Sequence, residues 1–348
     1  MLDPIGRECK RFKAPLFPAL PARRSVSGIC YPAAVMSEYS IGVDLGGTNL
    51  RAAAIDRDGK ILHKVEGSTQ LSAGRDAVTS DIVASIVKLK AAVPSKHLIG
   101  IGIGVPGFII MDTGVISISP NLPGFENFAI RDEIERLLQA PVLLENDANV
   151  AALGEKWIGA GRDVDDLVLL TLGTGIGGGI ISGGKVLHGF VGMAGEIGHM
   201  TVIPEGNPCS CGSTGCLEKH ASATAVTAMA RMLGLGEQVT SKDVYELAIA
   251  GNARARMCFE RMGFSLGIAL ANLVNIFNFP LYLLSGGVLP AWDLFAPAML
   301  AEVKRRSFTY RNTGTRIDKA TLGSEAGLYG AAYLPYQSRI IAPETTVA

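Results

Sequence analysis

The chain has 348 residues, 48% of them hydrophobic, and its 32 basic side chains are balanced by 32 acidic ones. That length fits two domains with a sizeable core, and a zero net charge without a compact Lys/Arg cluster gives nucleic acid no electrostatic footing. No run of about 18 apolar residues escapes interruption by charge, Gly or Pro, which argues against a membrane span. Six cysteines, three of them crowded together, suit reduced thiols in a cytoplasmic protein better than a disulfide-stapled secreted domain.

Residues 1–36 differ from the rest, with six Lys/Arg against two acids, and five prolines. Their apolar piece "APLFPALPA" is too short and proline-broken for a secretory signal. The stretch 1–37 reads as an extension, disordered or lying upstream of a true start at Met36, and dispensable to the fold. From Tyr39 the pattern becomes regular. "SIGVDLGG" (40–47) is a buried strand ending in a glycine turn. "RAAAID" (51–56) and "KILHKVE" (60–66) are strands joined by the Asp58–Gly59 turn, so the chain opens as a meander rather than as a strand-then-helix unit. A helix near 75–91, a buried strand at 98–107, a helix over 131–140, a strand at 141–147 and a helix over 148–157 follow. "DLVLLTLGTGIGGGIISGGKVL" (166–187) repeats the opening grammar of strand, glycine turn, strand, turn, strand. Helices over 222–234, 241–250 and 253–277, a buried strand at 280–288, and helices near 291–306 and 324–335 complete the chain. The repetition predicts a duplicated α/β fold with a ligand cleft between its halves. The expected boundaries are 38–158 plus 322–338 for a smaller domain and 159–321 for a larger one.

Three strand ends carry glycine turns: Gly46, Gly47 and Thr48 after Asp44; Gly173, Thr174 and Gly175; and Gly286 with Gly287. Backbone N–H groups in such turns form nests for phosphate. Asp44 could then hold hydrated Mg²⁺ through water. Each turn alone is equally a plain hairpin; three in one chain, the first beside an acid, favour a phosphate site. The second is followed by an apolar strand, not a helix, so it is no dinucleotide fingerprint. "LENDAN" (144–149) puts Glu145, Asn146 and Asp147 at the end of an apolar strand. Asp147 reads either as a base for a substrate hydroxyl or as the N-cap of the following helix.

"GHMTVIPEGNPCSCGSTGCLEKH" (198–220) brings His199, Cys209, Cys211 and Cys216 together, flanked by Glu196 and Glu218. One imidazole and three thiols are the closed donor set of a structural zinc, in a loop (199–216) whose glycines let it wrap an ion. Buried free thiols are the bland reading; zinc is preferred because the loop offers little apolar cover. His63, His97, His188 and His220 show no such constellation.

Taken in order, "DLGGTNLR", "GVPG", "NLPGF", "LENDAN", "LGTGIGGGI", "GEIGH" and "CSCGSTGCLE" resemble the ROK family of sugar kinases across residues 39–336, and its bacterial glucokinases most. The resemblance implies an actin/hexokinase-like (ribonuclease H-like) fold with two domains around a cleft. It also implies ATP as donor with Mg²⁺, a structural Zn²⁺, a hexose as acceptor, and a homodimer or homotetramer. It makes Asp147 the base facing the sugar 6-hydroxyl, with Gly107, Asn121, Asn146, Glu196, His199 and Glu218 about the sugar. Gly46, Gly47, Thr48, Gly173, Thr174, Gly175, Gly286 and Gly287 would surround ATP. An N-acylhexosamine or fructose kinase is the alternative within the family. A sugar-sensing transcriptional regulator is the alternative outside catalysis, disfavoured because residues 1–38 are short and proline-rich for a helix-turn-helix segment. Removing zinc is expected to weaken the sugar site and largely spare the ATP site, since the glycine turns lie elsewhere in the chain.

Overall fold

In the computed structural model, residues 37–47, 49–69, 71–119 and 122–341 are described. The expectations for residues 1–36, Thr48 and Asn121 lie outside them. The first half runs β1 (Glu38–Leu45), β2 (Asn49–Asp56), β3 (Ile61–Ser68), α1 (Arg75–Ala92), β4 (His97–Val105), β5 (Phe108–Ile110), β6 (Val115–Ile118), α2 (Ile130–Leu138), β7 (Val142–Asn146) and α3 (Asp147–Trp157). The second runs β8 (Leu167–Leu172), β9 (Ile176–Ser182), β10 (Lys185–Val186), α4 (Glu218–Ala221), α5 (Ala223–Met232), α6 (Ser241–Ile249), α7 (Ala253–Phe277), β11 (Leu281–Ser285), α8 (Trp292–Arg306), β12 (Arg316–Lys319) and α9 (Ala326–Ile341).

The repeated grammar becomes repeated topology. One sheet has the order β3-β2-β1-β4-β7 and the other β10-β9-β8-β11-β12. In each, the first three strands are antiparallel neighbours, and the last two run parallel to the first. The central strands are buried on both faces, which is why they read as continuous apolar runs rather than alternating ones. On its outer face the first sheet is covered by α1 and α2 through Ile82, Ile86, Ile130 and Ile134. The second is covered by the helices from α4 to α8, with Phe259, Leu266 and Phe295 at the centre. Helix α7 is long and apolar enough to cross a membrane by length and composition, but 67% of its most apolar stretch is buried inside this core. That is the pattern of a helix packed on several sides.

Between the sheets lie α3 and α9. Helix α9 packs on β1, β2 and β4, and α3 packs on β8 and β9. The approach is close enough to require glycine. A Cβ on Gly330 of α9 would run into the carbonyl of Val150 in α3, and one on Gly154 of α3 into the carbonyl of Ala326. Under α9, a Cβ on Gly42 or Gly102 would strike the carbonyls of Leu328 and Ala331.

The chain passes between the halves twice, after α3 and before α9, and Glu155 holds both passages. Its carboxylate is wholly buried. It accepts backbone N–H groups from Ala160 at 2.8 Å, Thr321 at 2.9 Å and Leu322 at 2.7 Å. A buried carboxylate is tolerated when its lone pairs are met by donors, as here.

Three elements escape the sequence reading: the β5–β6 hairpin, the four-residue α4, and β12, whose "RIDK" has one apolar position facing the core.

Gly330→Ala is expected to lower unfolding free energy by about 1–3 kcal/mol through overpacking against α3. Gly314→Ala, at a site with nothing within 4 Å of the added methyl, should stay within about 0.5 kcal/mol of wild type. Parallel thermal denaturation of the two variants checks the contrast, and equal melting temperatures would contradict the account of the helix pair.

Candidate active site

The strand end at 145–147 sets the centre. Asn146, not Asp147, is the N-cap of α3. Its Oδ1 accepts the N–H groups of Ala148 at 2.9 Å and Asn149 at 3.3 Å, which corrects the capping role considered for Asp147. An Asn cap satisfies the orphan amides, and this leaves Asp147 as the first helical residue. Asn146 Nδ2 donates to the carbonyl of Gly107 at 3.2 Å, so two expected sugar contacts are joined directly. Gly107 has φ +114°, and a Cβ there would meet the carbonyl of Ile118, so the β4–β5 turn needs glycine.

Burial raises the Asp147 carboxyl to about 6. The Ala148 N–H, 2.9 Å from Oδ1, pulls the other way, and the charges of Asp44 and Glu196 push further up. The helix N-terminus favours the carboxylate, but desolvation outweighs it. The outcome is a group poised near neutrality, as a general base requires.

Asp44 closes β1. Arg51 Nη2 pairs with its Oδ2 at 3.2 Å, while Nη1 donates to the Ser324 carbonyl at 2.6 Å just before α9. Burial raises the Asp44 carboxyl against the lowering effect of Arg51. The first glycine turn follows, with Gly46 N–H donating to Asn49 O at 2.9 Å. Gly47 belongs to this turn.

The other two glycine turns adjoin one another. A Cβ on Gly286, at φ +102°, would meet the Leu172 carbonyl, and Thr171 of β8 is in register with Ser285 of β11. Gly287 has open space around it. The 172–176 turn is braced from the segment after the cysteine loop. Gly173 O accepts from Ala223 N at 2.9 Å, Thr174 O from Thr224 Oγ1 at 2.7 Å, and the Ile176 N–H donates to Glu218 Oε2 at 3.0 Å. Distance along the chain is therefore not distance in space. The reason for expecting the ATP site to be spared, that the glycine turns lie elsewhere in the chain, does not hold in space, because Glu218, two residues after Cys216, bonds the second turn.

His199, Cys209, Cys211 and Cys216 place one ligand atom each within 4.8 Å of one another. Cys209 Sγ lies 3.6 Å from His199 Nδ1, and Cys211 Sγ lies 3.7 Å from Cys216 Sγ. Four ligands about 2.3 Å from a central ion would sit roughly 3.8 Å apart at tetrahedral angles, so the donors are spaced for one zinc-sized ion. His199 Nε2 points away from the thiols and stands 3.9 Å from Glu196 Oε2.

Four residues of the site escape the sequence reading. Arg51 pairs with Asp44, Thr224 holds the second turn, and His188 and Asn149 both bond Glu145. Arg51 meets Asp44 across the β1–β2 hairpin, Asn149 reaches Glu145 four residues back, and Thr224 and His188 act on partners distant in sequence.

Two halves of identical strand order, one carrying an acid-bearing glycine turn and the other two adjoining glycine turns, define an actin/hexokinase-like molecule. The ROK family model matches residues 40–338, and the chain belongs to that family. It is 41% identical to a glucokinase of Halalkalibacterium halodurans, over 86% of this chain and 95% of that one. Its fold matches the ROK hexokinase of Thermus thermophilus with a TM-score of 0.80 at 35% identity, covering 87% of this chain and all of that one. It also matches a ROK family glucokinase of Streptomyces griseus, solved with glucose and AMPPNP, with a TM-score of 0.71 at 32% identity over 86% and 99% of the two chains.

The raised Asp147 carboxyl has a stability consequence. Its folded value of about 6 exceeds the usual 3.8, so the folded state binds this proton more tightly than the unfolded state does. The ionised form therefore costs stability above pH 6, by an amount that solvent reaching this exposed side chain moderates, and the cost disappears below pH 4. Asp147→Asn is expected to melt above wild type at pH 8, with the gap closing as pH falls from 6 to 4. A melting series across that range checks the sign.

Proposed function

We propose that the chain is an ATP-dependent glucokinase acting in the cytoplasm, transferring the γ-phosphoryl group to the 6-hydroxyl of glucose. The observation that carries this reading is Asp147, a carboxylate at a strand end held near neutrality. The chain belongs to a family that includes glucokinases, and its second sheet carries two adjoining glycine turns. The Streptomyces griseus relative, solved with glucose and an ATP analogue, supports the same pairing of substrates here.

Asp147 accepts the proton of the 6-hydroxyl as that oxygen attacks phosphorus, and its fixed place at the start of α3 orients the hydroxyl. Asn146, Asn121, Glu196, His199 and Glu218 hold the remaining hydroxyls, with Gly107 leaving room beside them. A site built from paired acceptors on stiff backbone rejects sugars that leave those acceptors unmatched. The amides of the turns at 46–48, 173–175 and 286–287 take the phosphates. They stabilise charge that spreads over the γ-oxygens in a loose transition state. The lobes 38–158 with 322–338, and 159–321, close on the substrates and exclude water, which would otherwise compete as acceptor.

Asp44 is the carboxylate suited to Mg²⁺, since a magnesium ion bound mainly through phosphates and water needs only one or two protein carboxylates. When bound, the ion neutralises phosphate charge. The spacing and chemistry of His199, Cys209, Cys211 and Cys216 suit a structural zinc, which would fix the loop and leave His199 Nε2 as an N–H donor to a sugar hydroxyl.

Measuring ADP release across glucose, fructose, mannose and N-acylhexosamines tests the substrate. Glucose should give the highest kcat/KM, and preference for an N-acylhexosamine would replace this reading. Asp147→Asn is expected to lower kcat by about 10²-fold or more with glucose binding largely kept. In wild type, kcat/KM should fall as pH drops through about 6 and Asp147 takes up its proton.

Metal analysis should find about one zinc per chain. Cys211→Ala should lose it, melt lower, and raise KM for both glucose and ATP, since Glu218 reaches both sites. A variant without zinc whose two KM values match wild type would refute this role for the loop.

A further inference from the structure

Glu145 precedes Asn146 and Asp147, and its side chain is only 3% exposed. Oε1 accepts the N–H of Asn146 at 2.9 Å and Nδ2 of Asn149 at 3.0 Å. Oε2 meets Nε2 of His188 at 2.6 Å, across 43 residues of sequence. None of the chemistry above uses this pair.

His188 begins the loop that ends in Glu196. The loop closes on itself, with Ala194 N–H donating to the His188 carbonyl at 3.0 Å. Its far end is pinned to the second sheet: Gly195 lies so close to Gly178 of β9 that a Cβ on either would meet the other's carbonyl. Its near end has the Glu145 bond, which belongs to the first sheet. The loop therefore spans from the strand that carries the base to the strand that follows the phosphate turn.

We infer that His188 is a positioning residue of the hexose site, tying the loop that carries Glu196 to the strand end that carries Asn146 and Asp147. The inference rests on the hexose-kinase reading of that site. The short N–H to carboxylate bond is of the charge-assisted kind, stronger and more directional than a neutral one. Glu145 holds the His188 imidazolium above its ordinary range, against burial, and is the one charged group among the described residues that acts on it. Without the imidazole, Oε2 is a buried acceptor with no donor. The carboxylate must then turn or take a proton. It cannot turn without releasing Asn146 N–H and Asn149 Nδ2, so the disturbance passes to the cap of α3 and to Asp147.

The test compares wild type, His188→Ala and His188→Gln by calorimetric glucose titration and steady-state kinetics, well below each melting temperature. His188→Ala should weaken glucose binding and raise its KM roughly tenfold, as expected for stranding a buried charged acceptor. Its KM for ATP should stay within about twofold, a split that simple loss of stability does not produce. His188→Gln should recover most of the affinity, because its amide can donate to the same oxygen. Wild-type glucose affinity in a folded His188→Ala, with only a lowered melting temperature, overturns the inference. Should that variant not fold, His188→Asn, whose amide falls short of Glu145, replaces it. Equal affinities in the Asn and Gln variants then overturn the inference. If wild type itself binds no hexose, the kinase reading falls and this assignment with it.

Discussion

Backbone meets backbone where α3 crosses α9, and the molecule is arranged around that contact. Gly154 and Gly330 each occupy space that a side chain would take from the other helix. The glycines of β1 and β4 let α9 settle onto its sheet in the same way. Close packing of this kind transmits position rather than absorbing it. Helix α3 begins at Asp147, and α9 begins beside Asp44, so the helix pair sets the relative place of the proposed base and the acid-bearing turn. Glu155 completes the arrangement by gathering both connecting segments onto the end of α3. Its donors are backbone amides from either side, so the two passages meet at one fixed point.

That mechanical frame carries an electrostatic cost at the site. Asp44 and Glu196 both raise the Asp147 carboxyl by their charge, and burial raises Asp44 itself. Such a cluster is unfavourable for folding until ligands arrive, and proteins retain strain of this kind where chemistry needs it. The partners are distributed accordingly. Arg51 offsets Asp44, the capping Asn146 frees Asp147 from capping duty, and His188 meets Glu145. Asp147 alone among these acids has no cationic partner in the structure's bonds, and it is the one whose titration must stay accessible.

Much of the fold was legible because its signals are local. Doubly buried strands read as apolar runs, the Asp58–Gly59 turn marked a hairpin, and helical spacing located α1 to α3 and α5 to α9. The duplication was visible as a repeated order of strand and glycine turn. The cysteine loop was legible because ligand spacing is itself a sequence property. What stayed hidden depends on tertiary partners. β12 is a strand only because β11 offers an edge to its four residues. The β5–β6 hairpin offers only seven strand positions beside the Gly107 turn. His188 has no motif of its own; its meaning is a carboxylate 43 residues away. The exchange of roles between Asn146 and Asp147 turned on one residue of helix phase, which pattern reading does not resolve.

Glu218 shows why the two substrate sites form one structure. One oxygen of its carboxylate receives Ile176 N–H from the 172–176 turn. Its residue begins the helix that follows Cys216, so the cysteine loop sets its direction. Helix α5 adds Ala223 N–H and Thr224 Oγ1 to the same turn. Under the proposed kinase reading, a sugar hydroxyl drawing on the Glu218 carboxylate would compete with, or reorient, the bond that shapes the 172–176 turn. Coupling of this sort needs no large displacement, since two ligands that share one hydrogen-bonded carboxylate bias each other's binding free energy reciprocally. The glycine turn, the acid and the cysteine loop form one bonded unit, and under that reading its rigidity would set how strongly hexose and nucleotide feel each other.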